Sequence, residues 1–112
     1  MACLFCDIVN KKIPADIVYE SATVLAFKDI SPQAPIHVLI IPKQHIDNVL
    51  GFTPNDGKLL SELMLAIKNI AKKQALKNGF RIVTNTGQEG GQEVNHLHFH
   101  LLGGRKLSWP PG

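Results

Sequence analysis

From residue 95 to residue 102 the chain reads NHLHFHLL, so that His96, His98 and His100 alternate with Leu97, Phe99 and Leu101. A repeat of two is the side-chain period of a β-strand. The segment therefore predicts a strand with three imidazoles on one face and three apolar side chains on the other, the latter in need of a cover. One cover is available. Thr53 as N-cap, Pro54 at the first helical position, Asp56 in the first turn and Gly79 after the last predict a long helix over 53–79. Along it Leu60, Leu63, Met64, Ile67, Ile70 and Ala71 recur at steps of three and four, a stripe that reads as core packing, while Lys68, Asn69 and Lys72 face away.

The remaining signals are those of strands. IVYE at 17–20 and TVLAFK at 23–28 read as a hairpin although Ser21 and Ala22 are not favoured turn residues. HVLIIP at 37–42 is a nearly continuous apolar run, the mark of a strand covered on both faces. FRIVTN at 80–85 resumes strand and TGQEGGQE at 86–93 reads as a flexible loop. Roughly eight residues between the last two strands are too few for a parallel crossover, so that pair is expected to be antiparallel. The fold class is α+β: a mainly antiparallel sheet of about five strands, one long helix on one face and a short N-terminal helix. A chain of 112 residues fits one domain, taken as 1–112.

Composition narrows the function classes. With 45% hydrophobic and 19% charged residues the chain is globular, and no apolar run reaches the ~18 residues of a membrane span. The N-terminal MACLFCDIVNKK lacks the pattern of a secretory signal, so a cytoplasmic protein is expected, with no membrane partner. The net charge of +3 is scattered rather than striped, which argues against a nucleic-acid partner.

At ~3.3 Å per residue the outer two histidines of a straight strand stand about 13 Å apart, too far to converge on one ion. Separate roles are expected for them. A neutral imidazole is a good nucleophile toward phosphorus, and a second one nearby moves protons at neutral pH. The preceding glycines offer backbone N–H groups that can approach a phosphate. An exposed strand face that happens to be rich in histidine is the plain alternative.

His96, Leu97, His98, Phe99, His100, Leu101 and Leu102 fill the pattern His-φ-His-φ-His-φ-φ, with φ apolar, which resembles the signature of the histidine triad (HIT) superfamily. CLFCDIV, LAFKDISPQAPIHVLIIPKQHI, GGQEVNHLHFHLLGG and the terminal WPPG all resemble segments of its Hint branch. The resemblance implies a homodimer that binds purine nucleotides and hydrolyses nucleoside phosphoramidates or related conjugates. His98 would attack the α-phosphorus and form a nucleotidyl-histidine, with no cofactor for the chemical step. His100 would contact the phosphate, as would Asn85 and, in the loop, Gly91. Asp29 would accept hydrogen bonds from ribose hydroxyls, Phe5, Phe27 and Ile30 would belong to the base pocket, and Trp109 would reach toward the partner subunit's site.

Plainer readings stand beside these. Asp29 can cap the turn before Ser31 and Pro32, Asn85 can satisfy local backbone, and Phe5 and Phe27 can be ordinary core. Glu93 departs from the animal Hint pattern, where a serine three residues before the first histidine helps protonate the leaving group. A carboxylate there repels a phosphate.

Cys3 and Cys6 form a C-x-x-C at the extreme N-terminus, without the preceding strand of a thioredoxin-like site. Some relatives hold structural zinc with such a pair and two histidines, here His45 and His96, which would place His96 both in the triad and in a metal site. Small buried thiols beside a hydrogen-bonded His96 are the alternative. His37 has no evident partner and reads as a satisfied core histidine. Three functions follow: a nucleotide hydrolase or transferase, a nucleotide-binding regulatory or scaffolding module, and a metal-dependent hydrolase with zinc at the triad.

Overall fold

A computed structural model describes residues 3–112 of the chain. Five strands form one antiparallel sheet: β1 (Ile17–Glu20), β2 (Val24–Lys28), β3 (Ile36–Pro42), β4 (Phe80–Val83) and β5 (Phe99–Gly103), in the order β1-β2-β3-β5-β4. Two helices flank it, α1 (Leu4–Val9) and α2 (Gly57–Lys73). This is the α+β architecture that the sequence pattern implies. The β1–β2 turn closes without glycine because Ser21 Oγ accepts the Thr23 and Val24 N–H groups at 3.3 and 3.0 Å.

The two faces of the sheet are covered by different elements. Val24, Ala26, Val38, Ile40, Leu97, Phe99 and Leu101 pack with Leu63, Ala66, Ile67 and Ile70 of α2. Leu25, Phe27, Leu39 and Ile41 pack with Phe5 and Ile8 of α1. β3 is thus buried on both faces, as its apolar run implies. A helix as short as α1 covers only part of its face, and the uncovered remainder is where the histidines of β3 and β5 meet.

Beyond shifts of one or two residues at the ends of β2, β3 and β4, which leave Thr84 and Asn85 outside β4, three boundaries differ from expectation. The helix predicted over 53–79 begins with a single 3-10 turn at Pro54–Asp56, capped as expected: Asp56 Oδ2 accepts the Thr53 N–H at 2.8 Å and Thr53 Oγ1 accepts the Asn55 N–H at 3.2 Å. It ends at Lys73 rather than near Gly79. Ala75 takes a left-handed conformation (φ 56°), with Ala75 N–H donating to the Lys72 carbonyl and Leu76 N–H to the Ala71 carbonyl, a closure usually built on glycine. Leu76 then packs against the core beneath α2, which offsets the strain at Ala75. The buried stripe is also turned slightly: Ala66 is fully buried, whereas Leu60 and Met64 are more than one-third exposed.

The third difference concerns the histidine segment. Only Phe99–Gly103 pairs as a strand, and residues 95–98 leave the ladder. Leu97 N–H donates to the Ile46 carbonyl at 2.6 Å and Thr84 Oγ1–H donates to the His98 carbonyl at 2.8 Å, so the segment is anchored by a loop and a hydroxyl instead of by β4. The alternation survives this departure. Leu97, Phe99 and Leu101 remain on the α2 side and the histidines on the other.

Candidate functional site

The open part of the α1 face forms a cleft of about 360 Å³ lined by Phe5, Asp29, His37, Asn85, Gly91, Glu93, His98 and His100, with Ser31, Gln33, Leu39 and Val94 completing its wall. A larger hollow of about 530 Å³ between Ala75–Gly79 and Gly104–Lys106 has basic walls but neither a histidine nor a carboxylate. The first cleft alone of these two carries nucleophilic and acid–base groups.

The rings of His98 and His100 lie 5.0 Å apart. His98 is buried, and its Nδ1–H donates to the His96 carbonyl at 2.7 Å, which leaves the Nε2 lone pair available to the cleft. The ring of Phe5 stands edge-on to His98 at 5.2 Å and to Phe27 at 5.5 Å, wedging the imidazole from behind. His100 sits deeper in electrostatic terms: burial first, then its neighbours His98 and His37, pull its pKa from 6.5 to about 4. It is a neutral donor and acceptor at neutral pH.

That shift sets a pH dependence. A folded-state pKa below the unfolded value means that the unfolded chain binds the proton first, so stability is complete above about pH 6.5 and is lost as pH falls through about 4. Urea midpoints measured from pH 8 to pH 4 are expected to be level above neutrality and to decline below it. His100→Asn is expected to flatten part of that decline.

Asp29 does two things. Its Oδ1 accepts the Ser31 N–H at 2.8 Å, the turn-capping role, while Oδ2 lies 3.5 Å from His37 Nε2 at the cleft wall. The glycine loop is less free than its composition suggests. Gln92 accepts the Gly87 N–H through Oε1 and donates through Nε2 to the Asp47 and Val94 carbonyls at 2.7 and 3.0 Å. Gly91 adopts φ 78°, and a Cβ at Gly90 would stand 2.4 Å from the Thr86 carbonyl oxygen, so both positions require glycine.

Other sequence-derived candidates lie elsewhere. Phe27 is core beneath Phe5 rather than cleft wall, Ile30 is 98% exposed, and Trp109, 80% exposed, does not line the cleft of its own chain. Conversely His37, Ser31, Gln33 and Gln92 belong to the site or its support and carried no signal in the sequence. Each acts through partners that are distant along the chain or through backbone atoms.

His96 faces away from the cleft into a second cluster. Cys3, Cys6, His45 and His96 bring one ligand atom each within 4.8 Å of one another. Cys3 Sγ and Cys6 Sγ lie 3.4 and 3.5 Å from His96 Nδ1, and Cys6 Sγ lies 3.3 Å from His45 Nδ1. Tetrahedral zinc with ordinary bond lengths spaces sulfur and nitrogen ligands by about 3.5 Å. The outward nitrogens are occupied: His96 Nε2–H donates to the Pro42 carbonyl at 2.8 Å and His45 Nε2–H to Asp47 Oδ1 at 2.7 Å. Both rings therefore turn an Nδ1 lone pair toward the thiols, with the oxygen partners usual behind metal-bound histidine. Without a cation, burial and then Cys3 push the Cys6 thiol up to about 11, a cost that a divalent charge removes. The residues fit a metal. The three histidines consequently do not share one site, as the strand spacing implied.

The HIT domain family model matches residues 10–107. The chain belongs to the HIT domain family. An uncharacterized HIT-like protein of Synechococcus elongatus is 55% identical over 97% of this chain and 96% of its own. Among solved structures, a HIT family hydrolase from Legionella pneumophila superposes with a TM-score of 0.97 at 48% identity, covering 99% of this chain and 100% of that one. A histidine triad nucleotide-binding protein from Candida albicans gives 0.84 at 34% identity, covering 97% and 83%. The sheet order and the two flanking helices of this HIT domain are thus a fold held in common with these proteins.

Proposed function

We propose that this chain is a nucleotide-binding hydrolase that cleaves purine nucleoside 5′-phosphoramidates or related nucleotide conjugates, as a single-domain subunit of a cytoplasmic homodimer. The Legionella relative is described as a hydrolase and the Candida relative as nucleotide-binding, which supports the class. The observation that carries the reading is the orientation of His98: Nδ1–H is held by the His96 carbonyl and Nε2 is left to a cleft that also holds neutral His100.

In this reading His98 Nε2 forms a bond to the α-phosphorus as the phosphorus–nitrogen bond of the substrate breaks. The electron pair leaves with the amine, which takes up a proton. The positive charge on the His98 ring is spread toward Nδ1–H and its carbonyl partner, while an N–H of His100 and the loop near Gly91 meet the charge on the phosphate oxygens. Water then displaces the imidazole, releasing the nucleoside monophosphate and a proton. Asp29 Oδ2 serves the ribose hydroxyls, Asn85 the phosphate, and Phe5 the base. Trp109 reaches toward the partner subunit's site.

Cys3, Cys6, His45 and His96 would hold structural zinc, which braces the segment carrying His98 and supplies no step of the reaction. Hydrolysis of adenosine 5′-phosphoramidate by the purified protein tests the reading. Turnover supports it, whereas tight nucleotide binding with negligible turnover of a phosphoramidate panel would favour a regulatory module.

Glu93 stands exposed on the rim of the cleft. Glu93→Ser is expected to lower KM about 3- to 10-fold by removing a charge that repels the phosphate, and to alter the preference among leaving amines. Unchanged KM and preference in steady-state assays would leave the side chain without a role.

A further inference from the structure

His37 is 7% exposed, lies on the central strand and takes no direct part in the proposed displacement. Both of its ring nitrogens are engaged. Gln33 N–H donates to Nδ1 at 3.0 Å, and Nε2 lies 2.9 Å from His100 Nδ1. We infer that His37 is a positioning residue, whose contact with the Gln33 amide determines which nitrogen of His100 carries its proton.

The assignment follows from the direction of each bond. A backbone N–H can only donate, so His37 Nδ1 must be an acceptor and the proton of a neutral His37 must sit on Nε2. That Nε2–H can only donate, so His100 Nδ1 must accept. The proton of a neutral His100 is then left on Nε2, the nitrogen free to donate to a phosphate oxygen in the cleft. The opposite arrangement would set the Gln33 N–H against a His37 Nδ1–H, two donors facing each other in a buried place. Asp29 Oδ2, 3.5 Å from His37 Nε2, favours a proton there as well. Burial lowers the pKa of both rings, which keeps them neutral and makes the choice of tautomer meaningful.

The anchor of this relay is itself fixed. Gln33 Nε2–H donates to the Ser31 carbonyl at 2.9 Å, and Arg105 donates to the Gln33 carbonyl through Nε at 3.3 Å and Nη2 at 2.9 Å. Arg105 follows the GG that ends the histidine segment, so the same stretch of chain supplies His100 and clamps the loop that orients it. From sequence alone His37 reads as a satisfied core histidine. It is satisfied, and the group that satisfies it is a cleft residue.

The inference rests on the hydrolase reading for its consequence, but the tautomer can be read without turnover. Long-range proton–nitrogen correlation spectra of the full chain at pH 7.5 are expected to show His100 protonated at Nε2 and His37 protonated at Nε2. Protonation of His100 at Nδ1 in the unaltered protein overturns the inference.

Variants extend the test. His37→Gln keeps a donor toward His100 and is expected to retain the Nε2–H tautomer and kcat within about 3-fold. His37→Glu presents an acceptor, and His37→Leu presents neither. Both are expected to lose the fixed tautomer and to lower kcat by about 10²-fold with little change in KM, since an N–H aimed at the developing charge is what is lost. Should His37→Glu fail to fold, His37→Leu carries the comparison. Equal losses in His37→Gln and His37→Leu, or a His100 tautomer indifferent to residue 37, would mark a merely structural histidine and overturn the inference.

Discussion

His98→Ala is expected to reduce turnover of adenosine 5′-phosphoramidate by at least about 10⁴-fold, the scale seen when a nucleophile that forms a covalent intermediate is removed. Its Nε2 is the nitrogen that the His96 carbonyl leaves free toward the cleft, and His100 cannot replace it because its own Nδ1 faces His37. The fold should persist, since Phe5, Leu97 and Phe99 hold the segment from both sides of the sheet. Thermal melts and far-UV circular dichroism check that point. Mass spectrometry of the unaltered enzyme quenched during turnover is expected to show one added nucleotidyl group, absent from the variant. Full activity of His98→Ala would refute the nucleophile assignment outright.

Removal of metal is expected to have the largest effect on stability. Purified protein should contain close to one zinc per chain, and exhaustive chelation, or Cys3→Ser with Cys6→Ser, should lower Tm by about 10–20 °C. A metal present at about 10³ times its dissociation constant contributes about 4 kcal/mol, which corresponds to a shift of that size in a domain of this length. The cluster joins the N-terminal segment to the loop after β3 and to His96. Phosphoramidate turnover at 25 °C is expected to survive chelation within a few-fold, because the cleft histidines are not ligands of that cluster. A metal content near zero would leave the thiols as small half-buried side chains beside His96. Complete loss of activity that zinc restores without refolding would instead put metal into the chemistry.

The doubly buried β3 was legible in its apolar run and the hairpin in its β-forming residues, while the antiparallel pairing of the last two strands was read from a short link and holds although the link, 84–98, is longer than expected. The end of α2 was not legible. Gly79 is the obvious stop signal, yet Ala75 turns the chain earlier with a left-handed φ of 56°, which sets the partly buried Leu76 against the core. Likewise the alternation at 96–101 correctly assigns faces but overstates the strand. Hydrogen bonds from Leu97 and Thr84, to partners outside that pattern, replace the ladder at its start.

By itself the sequence determined that three histidines share one face of a sheet and that a helix covers the other. These follow from period, composition and spacing, which are local quantities. Only the tertiary structure decided that His96 turns into the thiol cluster while His98 and His100 face the cleft, that His37 is the partner of His100, and that Ile30 and Phe27 leave the cleft wall to Phe5. The physical reason is that a ring nitrogen's role depends on what its other nitrogen meets. Those partners are carbonyls and amides of Pro42, His96 and Gln33, which every residue type possesses and no sequence pattern marks.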